Sequence, residues 1–282
     1  MKPERAARVN GGKALGRLGA ACLPGPVVDG VRRLRVSWDV LSESERERYS
    51  RQLILEGFGP PAQERLKSAR ALVAGAGGLG SSVALYLAAA GIGALRFADH
   101  GTVELSNLNR QVLYSTGDIG QLKVQRLARN LAALNPGTIV ETSPETIREE
   151  NLPALTEGCD VVIDALDNLP TRYLLNRAAL ERRLPLVHGA VYGFDGQAMT
   201  VLPGRSACLV CLYRSAKAEG VVPVLGTSAA IIGCIEATEV IKFLAGLGEL
   251  LTDRLLLYDG LAMSFREVAI RRDPDCPHCG GR

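Results

Sequence analysis

The chain has 282 residues, 47% of them hydrophobic and 22% charged, with a formal net charge of only +3. That length buries a full core in one large domain, or in one domain with an appendage, and nothing in the charge balance demands nucleic acid. No apolar run reaches the roughly 18 residues that a membrane span needs and no secretion signal opens the chain, so a cytoplasmic protein is expected.

Residues 1–37 hold eight basic side chains against two acidic ones and show no hydrophobic periodicity. Residues 1–40 therefore read as a basic, flexible leader, and residues 41–282 as the folded unit. Ser42-Glu43-Ser44-Glu45 has the spacing of a capping box, in which a hydroxyl accepts from the third helical amide and a glutamate reaches back. A helix through Arg48-Tyr49-Ser50-Arg51-Gln52 follows. Arg70–Ala74 is an apolar run entering Gly75-Ala76-Gly77-Gly78-Leu79-Gly80, and Ser81–Ala90 continues as a helix of small residues. This is strand, glycine turn, helix.

A second strand, Ala94–Ala98, ends at Asp99, and the polar segment Ser106–Gln111 leads to a helix around Leu122–Leu134. Asn135-Pro136-Gly137 stops that helix. Next come a strand near Thr138–Glu141, a helical segment from about Arg148, a continuously buried strand over Cys159–Asp164 and a helix over Thr171–Arg182. Beyond Pro185 the pattern changes to strand pairs. Leu186–Val191 and Gln197–Leu202 flank a Gly193–Gly196 turn, Thr227–Leu244 reads as a long apolar helix, and Arg254–Tyr258 and Phe265–Ile270 read as late strands. The expected class is α/β: a Rossmann-like, mostly parallel sheet with flanking helices, extended by antiparallel strands.

Gly75-x-Gly77-x-x-Gly80 lets backbone amides at a helix N-terminus approach a phosphate, where the helix dipole favours anions. The plain alternative is a packing turn, and the motif does not choose between NAD and ATP. Asp99, 24 residues after Gly75, stands where a carboxylate can accept from ribose hydroxyls, or is simply a strand-end turn aspartate. Cys208-x-x-Cys211 and Cys276-Pro277-His278-Cys279 are two knuckles separated by 64 residues, and together they offer the four thiolates of a structural zinc site. Neither has the surroundings of a redox dithiol. Of the other cysteines, Cys234 reads as a small hydrophobe within a helix, Cys159 starts a buried strand, and Cys22 lies in the leader. Asn107, Arg110, Lys123 and Asp167 fall at loops on the side where the glycine turn opens. Arg and Lys there neutralise phosphate charge, and an aspartate holds magnesium. Singly, each reads as a surface residue.

As a set, these pieces resemble the MoeB/ThiF/HesA family, relatives of the ubiquitin-activating enzymes. The matching segments are Arg48–Gln52, the glycine turn, Asp99, Ser106-Asn107-Leu108-Asn109-Arg110-Gln111, Gly120-Gln121-Leu122-Lys123, Asp164-Ala165-Leu166-Asp167-Asn168 with Arg172, and the four cysteines. They span about Leu41 to Cys279. The resemblance implies an ATP-dependent adenylyltransferase that activates the C-terminal glycine of a small ubiquitin-like sulfur carrier, MoaD- or ThiS-like and ending in Gly-Gly, with release of pyrophosphate. It implies that Asp99 holds the ribose, that Asn107, Arg110 and Lys123 hold the phosphates, and that Gly75, Gly77, Gly78, Gly80 and Asn168 complete the nucleotide site. Asp167 would place Mg2+ and serve catalysis, Cys208, Cys211, Cys276 and Cys279 would hold Zn2+, and Arg51 would reach the partner's ATP across a homodimer interface. Residues 41–184 would form the nucleotide half, and residues 185–282 the carrier and zinc half.

The sequence departs from the family pattern twice. Gly101 stands where a second carboxylate is common after the ribose aspartate, which leaves His100 as a solvated loop residue. Between Tyr213 and Thr227, where many relatives carry a longer crossover loop with a cysteine, Arg214–Gly220 has none, so no thioester is expected. Two other readings follow: a non-catalytic carrier-binding scaffold, and an NAD-dependent oxidoreductase, which leaves Arg51, Arg110, Lys123 and Asp167 unexplained.

Overall fold

Short strands with no polar alternation suit a sheet covered on both faces, and the central strands Arg70–Ala74, Ala94–Ala98 and Val161–Asp164 are of that kind. The computed structural model describes residues 41–214 and 223–280. The leader and the stretch 215–222 of the crossover segment lie outside the described residues. In chain order the elements are α1 (Glu43–Arg48), α2 (Ser50–Leu53), α3 (Gly59–Ser68), β1 (Arg70–Ala74), α4 (Gly78–Ala90), β2 (Ala94–Ala98), α5 (Lys123–Leu134), β3 (Ile139–Ser143), α6 (Leu152–Thr156), β4 (Val161–Asp164) and α7 (Leu169–Arg182). Then follow β5 (Leu186–Tyr192), β6 (Asp195–Val201), α8 (Leu209–Tyr213), α9 (Gly226–Ala245), β7 (Arg254–Asp259) and β8 (Ser264–Ala269).

The strand order is β3-β2-β1-β4-β5-β6-β7-β8. Strands β3 to β5 across that order run parallel, and β5 to β8 pair antiparallel. The expected mixed α/β sheet is therefore present. After β1 the chain builds outward through β2 and β3, then returns to place β4 on the other side of β1. This reversal leaves a crevice beyond the carboxyl ends of β1 and β4, where open α/β sheets bind ligands.

Alternate residues of the strands feed two cores. Val73, Phe97, Ile163 and Val187 pack with Leu66, Leu87, Leu127 and Leu131 on one face, while Leu72, Val162, Leu186 and Met199 pack with Leu175 and Leu209 on the other. Small residues let α4 and α9 approach closely: a Cβ at Gly233 would lie 2.8 Å from the Leu79 carbonyl and from Ser82 Cβ. No helix among the described residues is long and apolar enough to cross a membrane.

Several boundaries differ from the sequence expectation. The capping box at Ser42 forms, with both reciprocal bonds, but the following helix is interrupted at Tyr49. That side chain is buried and its hydroxyl accepts from Asn135 Nδ2 at 2.8 Å. Helix α3 starts with Pro60 and Pro61 in its first turn, where a missing N–H costs nothing; read as breakers, they conceal the helix. The segment from Arg148 becomes helical only at Leu152, because Asn151 Oδ1 takes the Arg148 amide at 2.9 Å and closes a turn instead.

Candidate functional site

The glycine turn is shaped by crowding. Gly75 has φ +101°, and a Cβ there would lie 2.5 Å from the Ala165 carbonyl. A Cβ on Gly80 would overlap the Gly75 carbonyl, so this glycine packs the turn against its own helix. Gly75, Gly77 and Gly78 line an adjoining cavity of about 770 Å³, and Gly80 does not. Gly77 caps α4 with no side-chain hydrogen bond. The first helical amides are thus left to an anion, as at phosphate-binding helix N-termini.

The carboxylate of Asp99 accepts from two backbone amides, Ala76 at 2.7 Å and Gly101 at 2.7 Å. Tyr114 donates its buried hydroxyl to the Ala76 carbonyl at 2.8 Å. The residue between the first two glycines is therefore held at both its N–H and its C=O. Each Asp99 oxygen keeps a lone pair, enough to accept from a ligand hydroxyl.

The same cavity is lined by Asn107, Arg110, Lys123, Asp167 and Asn168. Asn107 is buried and its Oδ1 accepts from the Glu104 amide at 3.2 Å, so part of its capacity goes to shaping the loop. Arg110 lies over Gly78 and donates to the Ser106 carbonyl at 2.8 Å and to Asn109 Oδ1 at 3.0 Å. The Lys123 backbone is tied to Gly101 by a 3.0 Å hydrogen bond. A Cβ at Gly101 would lie 3.4 Å from Lys123 Nζ and 3.0 Å from Asp99 Oδ1. The departure at Gly101 thus leaves room for the ammonium beside the aspartate. Exposed His100 is a loop residue. Asp167 is exposed, and Asn168 caps α7 by accepting the Thr171 amide at 3.0 Å.

Arg51 does not join this group. It is exposed on α2, a helix anchored by Gln52 Nε2 on the Ala90 carbonyl at 2.8 Å.

The structure adds lining residues to which the sequence assigned no role of their own. Gln111 is buried and its Oε1 has no partner, a polar orphan beside the glycine turn. Arg172, Gln197 and Tyr213 line the far end of the cavity, beside Ala190 and Val191 of β5. Arg172 belongs to the family-like segment that follows Asp164, whereas Gln197 and Tyr213 lie in no spacing pattern that would have announced them.

The four cysteines converge. Cys208 Sγ lies 3.6 Å from Cys276 Sγ and Cys211 Sγ lies 3.5 Å from Cys279 Sγ, with all four sulfurs within 4.8 Å of one another. Tetrahedral zinc with ordinary Zn–S bonds needs sulfurs about 3.8 Å apart, so this set fits a zinc ion. Without a metal the four thiols share their protons unequally: burial raises Cys208 and Cys279, while at Cys276 burial is outweighed and the Cys279 and His278 amides help bring the thiol down to about 7. Cys234 is half-buried on α9 and Cys159 is buried, its thiol pushed up to about 11 by burial. A thiol so raised is a poor nucleophile.

Comparison with known proteins agrees with this architecture. The ThiF family model matches residues 49–278. The chain is 45% identical to the SAMP-activating enzyme E1 of Haloferax volcanii over 246 residues, covering 85% of this chain and 91% of that protein. It is 44% identical to the sulfur carrier protein adenylyltransferase of Thermus thermophilus over 250 residues, covering 85% and 92%. A crystal structure of E. coli MccB with MccA-N7isoASN shares the fold, with a TM-score of 0.76 at 23% identity over 83% of this chain and 75% of that one. With its glycine turn, reversed sheet and paired cysteine knuckles inside a match of that extent, the chain belongs to the ThiF family.

Proposed function

We propose that this protein uses ATP to adenylate the C-terminal glycine carboxylate of a small ubiquitin-like sulfur-carrier protein, releasing pyrophosphate. One observation carries the reading: a single cavity runs from the open N-terminus of α4 and Lys123 to the strand-lined end at Ala190 and Gln197. A nucleotide and a peptide tail can therefore meet in it. The names of the Haloferax and Thermus relatives support the same activity.

In this reading the α4 amides, Lys123 and Arg110 bind the triphosphate, Asn107 completes its cradle, and Asp99 accepts from the ribose. The carrier carboxylate attacks the α-phosphorus in line and pyrophosphate leaves, so the protein's work is alignment and charge neutralisation. The carboxylate is already ionised at neutral pH and needs no general base. Asp167 would hold Mg2+, which neutralises phosphate charge when bound; one carboxylate with substrate phosphates is an ordinary magnesium site. Zn2+ on the four cysteines would serve stability. The protein would act as a homodimer with Arg51 reaching its partner's nucleotide. The nucleotide half would be residues 41–184 and the carrier half residues 185–282.

ATP–pyrophosphate exchange with magnesium and candidate carriers ending in Gly-Gly tests the reading. Exchange should require the carrier and vanish in Asp167→Ala. Intact ATP binding without exchange for any carrier would count against it.

A further inference from the structure

At the strand-lined end of the cavity a chain of polar groups runs from the buried Asp164 and His188 to the half-buried Tyr213 and Gln197. Asp164, fully buried at the end of β4, faces His188 across the parallel register of β4 and β5. Its Oδ2 lies 2.7 Å from His188 Nδ1 and 3.7 Å from Arg172 Nε. Burial opposes charge on Asp164, but Arg172 and His188 outweigh it and hold the carboxyl below its usual range. Burial also pulls His188 below the ordinary imidazole value, more than Asp164 raises it, so the ring is neutral.

A neutral imidazole beside a carboxylate must place its one proton on the nitrogen that faces it. Nδ1 therefore donates to Asp164 and Nε2 is a bare acceptor. Tyr213 Oη lies 2.8 Å from that Nε2, and so must donate to it. Having given its hydrogen away, the Tyr213 oxygen can only accept, and Gln197 Nε2 supplies the hydrogen. The orientation of the Gln197 amide is thus dictated from Asp164 outward. Its Oε1 has no partner among the described residues, and Gln197 lines the cavity.

We propose that Gln197 is a specificity-determining residue. Its side-chain carbonyl, fixed through Tyr213 and His188 by Asp164, accepts the backbone N–H of the last peptide bond of the tail. The adenylation reading supplies the ligand's identity, a peptide ending in Gly-Gly, while the direction of the chain is independent of it. A peptide N–H is the donor that a lone carbonyl selects. An ester at the same place offers a second acceptor and is rejected.

Two measurements on the full-length protein decide the matter. First, the ¹⁵N shifts of His188 without ligand should show a neutral ring protonated on Nδ1; a proton on Nε2 would reverse the chain and overturn the proposal. Second, a synthetic peptide ending in Gly-Gly and its analogue with an ester in the last linkage are titrated by NMR. The wild type should bind the ester about tenfold more weakly, the worth of one neutral hydrogen bond. Gln197→Met should bind the two peptides with equal affinity, weaker than the wild type binds the amide. Equal affinity of the wild type for both peptides, or no binding of the amide peptide, overturns the assignment. If the amide peptide binds selectively but no carrier is adenylated, the adenylation reading fails and this one stands.

Discussion

Asp99 Oδ2 accepts the Ala76 amide at 2.7 Å, so the carboxylate expected to face a ribose also fixes the glycine turn beside it. An asparagine can satisfy only one of the two amides, Ala76 or Gly101, with its single oxygen. Asp99→Asn should therefore lower stability by about 1–3 kcal/mol, measured by urea denaturation without nucleotide. Unchanged stability would show that the two amide bonds contribute little.

Two glycines of one motif should separate folding from binding. Gly80→Ala forces a methyl into the Gly75 carbonyl and should yield little folded protein. Gly77 has φ −83°, and a Cβ there meets only Gln111 Nε2, at 3.8 Å. Gly77→Ala should therefore keep the wild-type Tm while weakening ATP binding at least tenfold, because the methyl enters the cavity. Calorimetry and ATP titration of both variants check the pair, and unaltered ATP affinity in Gly77→Ala would contradict it.

The cysteine site predicts one zinc per chain by elemental analysis and a fall in Tm on chelation. Asn176, fully buried on α7, accepts the Leu209 amide at 3.1 Å and donates to His278 Nδ1 at 2.9 Å, so it touches both knuckles. Asn176→Ala should retain the metal yet cost about 1–3 kcal/mol, by stranding buried partners. Full metal loss in that variant would assign Asn176 a larger part.

Glu236 is fully buried with both carboxyl oxygens unpartnered. Burial, reinforced by Asp164, raises its pKa well above the usual 4.5 despite Arg172. The folded state thus keeps a proton that the unfolded chain loses, so stability declines as pH rises above about 4.5. Glu236→Gln should raise Tm by a few degrees at pH 8 and leave it nearly unchanged at pH 4. A thermal-melt series across that range is decisive, and an equal effect at both ends would contradict the assignment.

The sequence revealed what is local. The Ser42 capping box, the turn from β1 into α4 and each C-x-x-C pair are written within a few residues, so spacing carried them, although the two cysteine pairs meet across 68 positions of chain. Asp164, His188 and Tyr213 meet only because β4 and β5 pair in one register and α8 packs beneath them, and no spacing encodes that. Tyr114 was equally hidden, since its value lies in reaching the glycine turn from a distant loop. Tyr49 shows the converse: its helical neighbours promise one helix, yet its buried contact with Asn135 outweighs local preference and splits it.

Strand β5 pairs in parallel with β4 on one side and antiparallel with β6 on the other. The two ends of the cavity are therefore mounted on one continuous ladder of backbone bonds with no hinge between them. In the proposed adenylation the reach from nucleotide to tail would be set by strand register, a ruler whose smallest division is one residue, about 3.3 Å. Partner preference can then drift through side chains on β6 and beyond while that reach stays constant, letting one scaffold serve different tails without recalibrating its chemistry.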